Sequence, residues 1–424
     1  MQLHEEKKAI LSGGYDADFV RLYGETEGPR ARYAALCDDF AAKFGDQRAL
    51  RFYSAPGRTE VGGNHTDHQR GRVLAGSVNL DVIAAVSENG EQVIRIQSAG
   101  YPMDTIDLSD LAPKAEEAGR AAALIRGMCA RMKELGCAIK GFDAYTTSNV
   151  LKGSGLSSSA AFEVLVGVII SRMNGDKVNA VEIAKAAQYA ENVYFGKPCG
   201  LMDQMASAVG GFTAIDFADP EKPVIEKVDF DFAHSGHSLC IVNTGGNHAD
   251  LTGDYADITA EMGAVAAFFG KTALRQVDEA AFCRRLPEVK AACGDRAVLR
   301  AIHFFADNQR AADERDALKA GDFQRFLELI NASGRSSYMY LQNVFSVSAP
   351  KEQGLSLALC LSERYLGGRG ACRVHGGGFA GTIQAFVPAD LLSGYRELMD
   401  SVFGKGACHV LQIRPVGGWA LTEK

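Results

Sequence analysis

Apolar positions recur at helix-like spacing from Asp16 to about Phe44, where Phe19, Leu22, Tyr33, Leu36 and Phe40 form one stripe. Short apolar runs at Ala49–Ala55, Val73–Val86 and Val93–Ser98 predict strands, the last two separated by an Asn89-Gly90 turn signal. Ala115–Leu135 reads as helix and Phe142–Asn149 as strand. The chain then passes through a small, glycine- and serine-rich stretch, Gly153 to Ala161, into an almost unbroken apolar run with Glu163 as its one charge. That pattern predicts a loop opening a buried helix. A further helix is expected from about Ala180 to Tyr194, with Glu191 on its inward stripe, where a carboxylate needs a partner or a metal. Strands follow at Phe212–Phe217 and Ser238–Asn243, and then mainly helix through Ser337. Two strand-like runs flank a glycine loop within Ala371–Val387. Antiparallel-looking strands with clustered helices indicate an α+β fold rather than a βαβ alternation. A lobe boundary is expected between Gly211 and Ser238, dividing residues 1–216 from 217–424.

Composition narrows the function. The 424 residues suffice for two lobes with sizeable cores. A net charge of -7 argues against nucleic-acid and anionic-membrane partners, so any phosphate must be held by local groups. The ten cysteines form no CxxC pair, no stretch is long and apolar enough to span a bilayer, and the N-terminus lacks a signal-peptide core. A cytoplasmic protein with free thiols is expected. Nothing in the pattern sets an oligomeric state, and a monomer is expected.

The chemistry concentrates in a few stretches. A helix N-terminus carries unpaired N–H groups and partial positive charge, so the loop Gly153, Ser154, Gly155, Leu156, Ser157, Ser158 and Ser159 can wrap a phosphate. It matches neither GxxxxGK[ST] nor GxGxxG. The polar stretch Gly57–Gly71 reads as a loop and holds Arg58, Glu60, Asn64, His65, Asp67 and His68. Phosphoryl transfer needs phosphates cradled, magnesium placed, charge neutralised and a hydroxyl aimed. A loop serine with Glu191 can ligate magnesium, Asp203 is a candidate base, and Arg58 a candidate stabiliser of developing charge. Singly, each has another reading: Asp203 as a helix cap, Glu191 as half an ion pair, His65 and His68 as a metal pair, Gly376–Gly378 as a hairpin turn.

Together the motifs resemble the GHMP family of small-molecule kinases, and within it the galactokinase branch. The segment Pro56–Asp67 is similar to the sugar signature GRxNxxGEHxD, and Gly153–Ala161 to the GxGLSSSA phosphate loop. Ala190-Glu191 with Cys199–Gln204 resembles AE...CGIMDQ, His248 and Tyr255 keep the spacing of HSLxxxxY, and Val374–Gly381 looks like TGAGxGG. The resemblance implies a two-lobed enzyme with its site in the inter-lobe cleft, moving the ATP γ-phosphate to the anomeric hydroxyl of galactose. It makes Asp203 the base and Arg58 its charge partner. It makes Asn64, His65, Asp67, Glu60 and Tyr255 the sugar side, and Ser158 with Glu191 the Mg2+ site. Asn64 stands where the branch has Glu, Glu60 where it has Asn, His68 where it has Tyr, Leu151 where it prefers Pro, and His375 replaces a Thr. An uncharged Asn64 tolerates a 6-carboxylate, which keeps a galacturonate or N-acetylhexosamine kinase open as an alternative. A non-catalytic sugar and ATP sensor is a further alternative.

Overall fold

The computed structural model describes residues 2–151, 155–246 and 251–422. Gly153, Ser154 and His248 lie outside the described residues. In chain order the strands are β1 (Arg51–Gly62), β2 (Arg72–Glu88), β3 (Val93–Ser98), β4 (Asp104–Asp107), β5 (Phe142–Ser148), β6 (Phe212–Asp216), β7 (Val224–Val228), β8 (His237–Asn243), β9 (Ala371–Val374), β10 (Thr382–Pro388), β11 (Cys408–Leu411) and β12 (Trp419–Ala420).

Among the described residues the first sheet has eight strands in the order β12-β1-β2-β5-β3-β4, with β6 beside β2 and β7 beside β6. Its β3–β5 pair is parallel and its other pairs antiparallel. The long β2 gives residues 72–76 to β6 and residues 82–88 to β5. Successive side chains of a strand point to opposite faces. Val82, Ala84 and Val86 accordingly enter one core, with Val164, Leu165 and Met205 of the helices Ser158–Met173 and Met202–Val209. Ile83 and Ala85 enter another, with Phe19, Tyr33 and Phe40 of the N-terminal helices. Burial on both faces is why this strand is a continuous apolar run rather than an alternating one.

The second sheet, β11-β8-β10-β9, is antiparallel. Helices Gly354–Leu366 and Leu392–Phe403 pack on one face, and Phe326 of helix Phe323–Ser336 meets Phe386 of β10 on the other. The two sheets meet where β9 and β10 pack on the end of β1. The architecture is α+β, as the sequence pattern implies.

Three local differences bear on the site. The stretch 57–62, read from sequence as loop, is the buried second half of β1, with register shifts at Pro56/Arg58 and Glu60/Gly62. Its polar side chains are tolerated because β9 and β10 supply partners for Thr59 and Glu60, and helix Met202–Val209 one for Arg58. The helix expected through Tyr194 ends at Tyr189 and continues as a π-helical turn, Ala190–Phe195. Lastly, a division after residue 216 falls between the paired strands β6 and β7, and β12 returns to the first sheet; we propose a division after β7, with β12 counted in the first lobe. Among the described residues no helix is long and apolar enough to cross a membrane.

Candidate active site

Arg58 leaves the bulge of β1 and is 8% exposed. Its Nε donates to Asp203 Oδ1 at 2.7 Å, and its Nη1 to the carbonyl of Gly155. Asp203 stands in the first turn of helix Met202–Val209, and its other oxygen accepts from the Ser157 hydroxyl. Burial raises the Asp203 carboxyl pKa, but the Arg58 charge and hydrogen bond, with Ser157, outweigh it and hold the group below its usual range. Three distant segments thus converge on one carboxylate.

Because Ser157 is spent on Asp203, helix Ser158–Met173 has no side-chain cap. Its N-terminus opens on a cavity of about 260 Å³ lined by Gly155, Ser157, Ser158, Ser159, Glu191 and Asp203. Uncapped N–H groups in such a place suit an anion. Ser157 is held at φ +52°, a strained value for a residue with a side chain. Glu191, 4% exposed, accepts from Gln204 Nε2 at 2.8 Å and lies 3.5 Å from Lys197 Nζ. A second cavity of about 510 Å³ shares Ser158 and Ser159 and is walled by Tyr101, Pro102, Phe162 and Phe195.

On the other side of Asp203, the chain after β1 turns back through His65, at φ +57°. The His65 ring stacks on Tyr255 with centroids 6.4 Å apart, and burial pushes its pKa down to about 4. Asp67 Oδ2 lies 3.4 Å from where a Cβ on Gly200 would stand, in the loop that delivers Asp203. The Tyr255 hydroxyl donates to the carbonyl of Gly378 at 3.0 Å. The glycines here are dictated by close approach: a Cβ on Gly377 would sit 2.5 Å from the Tyr255 ring, and one on Gly378 2.1 Å from the Asn343 carbonyl oxygen.

Two expected sugar contacts, Asn64 and Glu60, bond to protein partners here. Asn64 is 0% exposed: its Nδ2 donates to Glu60 Oε1 (2.9 Å) and the Gly376 carbonyl (2.8 Å), and its Oδ1 accepts from Asn343 (2.8 Å). Glu60 also accepts from the buried Arg373 at 2.6 Å. Burial raises the Glu60 pKa, with Arg373 and Asn64 opposing. We propose that Asn64 and Glu60 serve the lobe junction, where protein partners meet their polar atoms. Leu156 likewise puts its side chain in the core, while its carbonyl accepts the Arg58 N–H at 3.0 Å.

The family model described as the galactokinase galactose-binding signature matches residues 38–88, and that of the GHMP kinase N-terminal domain residues 123–211. A galactokinase of Actinobacillus pleuropneumoniae serotype 3 is 31% identical over 368 residues, covering 86% of this chain and 92% of its own. The chain belongs to the galactokinase family. A galactokinase of Streptomyces coelicolor is 30% identical over 373 residues, with the same shares of 86% and 92%. The crystal structure of Lactococcus lactis galactokinase complexed with galactose superposes with a TM-score of 0.76 at 25% identity, over 92% of this chain and 99% of that one. Methanococcus jannaschii mevalonate kinase, at 13% identity and TM-score 0.61 over 86% and 98%, shares the fold.

Within this galactokinase-family fold, sequence reasoning missed Arg373, Asn343, Gln204 and the aromatic wall of the larger cavity. Gln204 adjoins Asp203 in a recognised motif, and Phe162 directly follows the Gly153–Ala161 motif in the helix, so both carried a signal. Arg373 and Asn343 reach the sugar signature only through the packing of the second lobe.

Proposed function

We propose that this protein is an ATP-dependent galactokinase that transfers the γ-phosphate of ATP to the anomeric hydroxyl of galactose, giving galactose 1-phosphate and ADP. The observation that carries the reading is the Asp203 carboxylate, held by Arg58 between an uncapped helix N-terminus and the His65, Asp67 and Tyr255 wall. The larger cavity would take the nucleoside, with Ser158, Ser159 and Gly155 on the phosphates. Ser158 and Glu191 offer oxygen ligands on one cavity wall, the donor set Mg2+ prefers, and the ion would neutralise phosphate charge. Asp203 stays ionised at neutral pH and is a weak base. It aims the anomeric O–H, and it accepts the proton as that oxygen bonds to phosphorus and the ADP oxygen leaves with the electron pair.

The case for a 6-carboxylate substrate rested on an uncharged Asn64 facing the sugar, and Asn64 faces protein. The family supports galactose. We place the enzyme in the cytoplasm as a monomer. The test is sugar-phosphate formation from ATP across galactose, galacturonate, N-acetylgalactosamine and glucose. Turnover with galactose is expected, and turnover with another sugar alone would overturn the assignment.

A further inference from the structure

The smaller cavity must receive a polyanion, yet two of its lining groups, Glu191 and Asp203, are carboxylates. Among the described residues that line it, the one cation is Lys197. Arg58, just outside that lining, already gives its Nε to Asp203 and its Nη1 to the Gly155 carbonyl. Lys197 is differently placed. Its side chain is 66% exposed, and its Nζ lies 3.5 Å from Glu191 Oε1, beyond ordinary hydrogen-bond length.

The backbone explains why a loosely paired head sits on a fixed base. The π-helical turn Ala190–Phe195 leaves the Glu191 carbonyl to accept from both Gly196 N (3.0 Å) and Lys197 N (3.2 Å). Two residues on, Cys199 N donates to Asn192 Oδ1 at 2.7 Å. Lys197 is therefore anchored at its Cα while its four-carbon stem can sweep the cavity mouth.

We propose that Lys197 is a catalytic residue whose ammonium turns from Glu191 to the terminal phosphate of the bound nucleotide and neutralises charge there during transfer. This rests on the kinase reading above. Without it, the described residues that line the cavity would offer the incoming phosphates two carboxylates and no cation.

The test compares wild type, K197M and K197R in steady-state kinetics, and in calorimetric titration with ATP and with ADP in the presence of magnesium. K197M is expected to lose roughly ten- to a hundredfold in kcat/KM for ATP, less than a buried donor would because the site is open to solvent. Its ATP affinity should fall more than its ADP affinity, the galactose KM should hold within about twofold, and K197R should recover most of the loss. Equal ATP and ADP affinities in wild type and K197M together with an unchanged kcat, or an effect confined to the galactose KM, would overturn the assignment. A wild-type protein that phosphorylates no sugar would sink the kinase reading instead, and the ATP-against-ADP titration would still decide whether Lys197 meets the terminal phosphate.

Discussion

Replacing Arg58 by methionine removes the cation from Asp203 while keeping much of the apolar volume. The carboxylate is then left with the Ser157 hydroxyl and with burial, and burial favours its neutral form. Losing a charged partner at hydrogen-bond distance raises a carboxyl pKa. Asp203 retains 32% side-chain exposure, and solvent moderates that rise. Its pKa should therefore rise out of the depressed range, because burial then acts on the carboxyl without the opposing cation. The sign follows from linkage. In wild type the depressed pKa stabilises the fold at every pH above about 3.8 and that contribution fades below it; in R58M the ionised group is destabilising above its raised pKa. Sugar phosphate measured directly by phosphorus NMR between pH 4.5 and 8 reads the consequence. The acid limb of kcat/KM should enter the window in R58M, on top of a pH-independent loss of about a hundredfold from missing charge stabilisation. R58K should keep the limb low but recover only part of the rate, since lysine lacks the fork that reaches both Asp203 and Gly155. An acid limb in R58M that coincides with wild type, in protein shown to be folded by circular dichroism, would refute the coupling.

Asp203→Asn should retain sugar and nucleotide binding by calorimetry and lose phosphorylation by about a thousandfold or more, and unchanged turnover would remove Asp203 from the chemistry. The single changes E60N and N64E should each lower the urea midpoint. E60N strands a buried arginine at about 3 kcal/mol, and N64E sets two carboxyls side by side. The double exchange E60N/N64E should recover about 1–3 kcal/mol in the cycle, because it restores one amide and one carboxylate to the same cluster. His65 is held neutral, so stability should decline as pH falls from about 6.5 toward its folded pKa of about 4. H65N, which tolerates the same positive φ, should lose up to about 1.4 kcal/mol per pH unit of that slope in urea titrations across the window.

What could be read from sequence was set by local chemistry. The apolar stretch of β2 and the glycine-serine opening of helix Ser158–Met173 announce themselves, because burial on two faces and an anion-ready helix end are written in consecutive residues. The second half of β1 did not, since Arg58, Thr59 and Glu60 look like loop residues until Asp203 meets the first and Gln384, His375 and Arg373 the other two. The partners of Asn64 were hidden for the same reason: its position in a sugar signature says nothing of Asn343 or Gly376, which bond its side chain. The break at Tyr189 was hidden because a π-helical turn needs no proline or glycine to begin it, and the Gly196 that ends it lies beyond.

The pairing of Tyr53 with Ala420 and Ser54 with Trp419 joins the strand that bears Arg58 to a segment made some 360 residues later. On the ribosome, the sheet beneath the reacting groups must wait with an open edge until that late segment emerges. Loss of Trp419 and Ala420 would therefore be felt along the strand that carries Arg58.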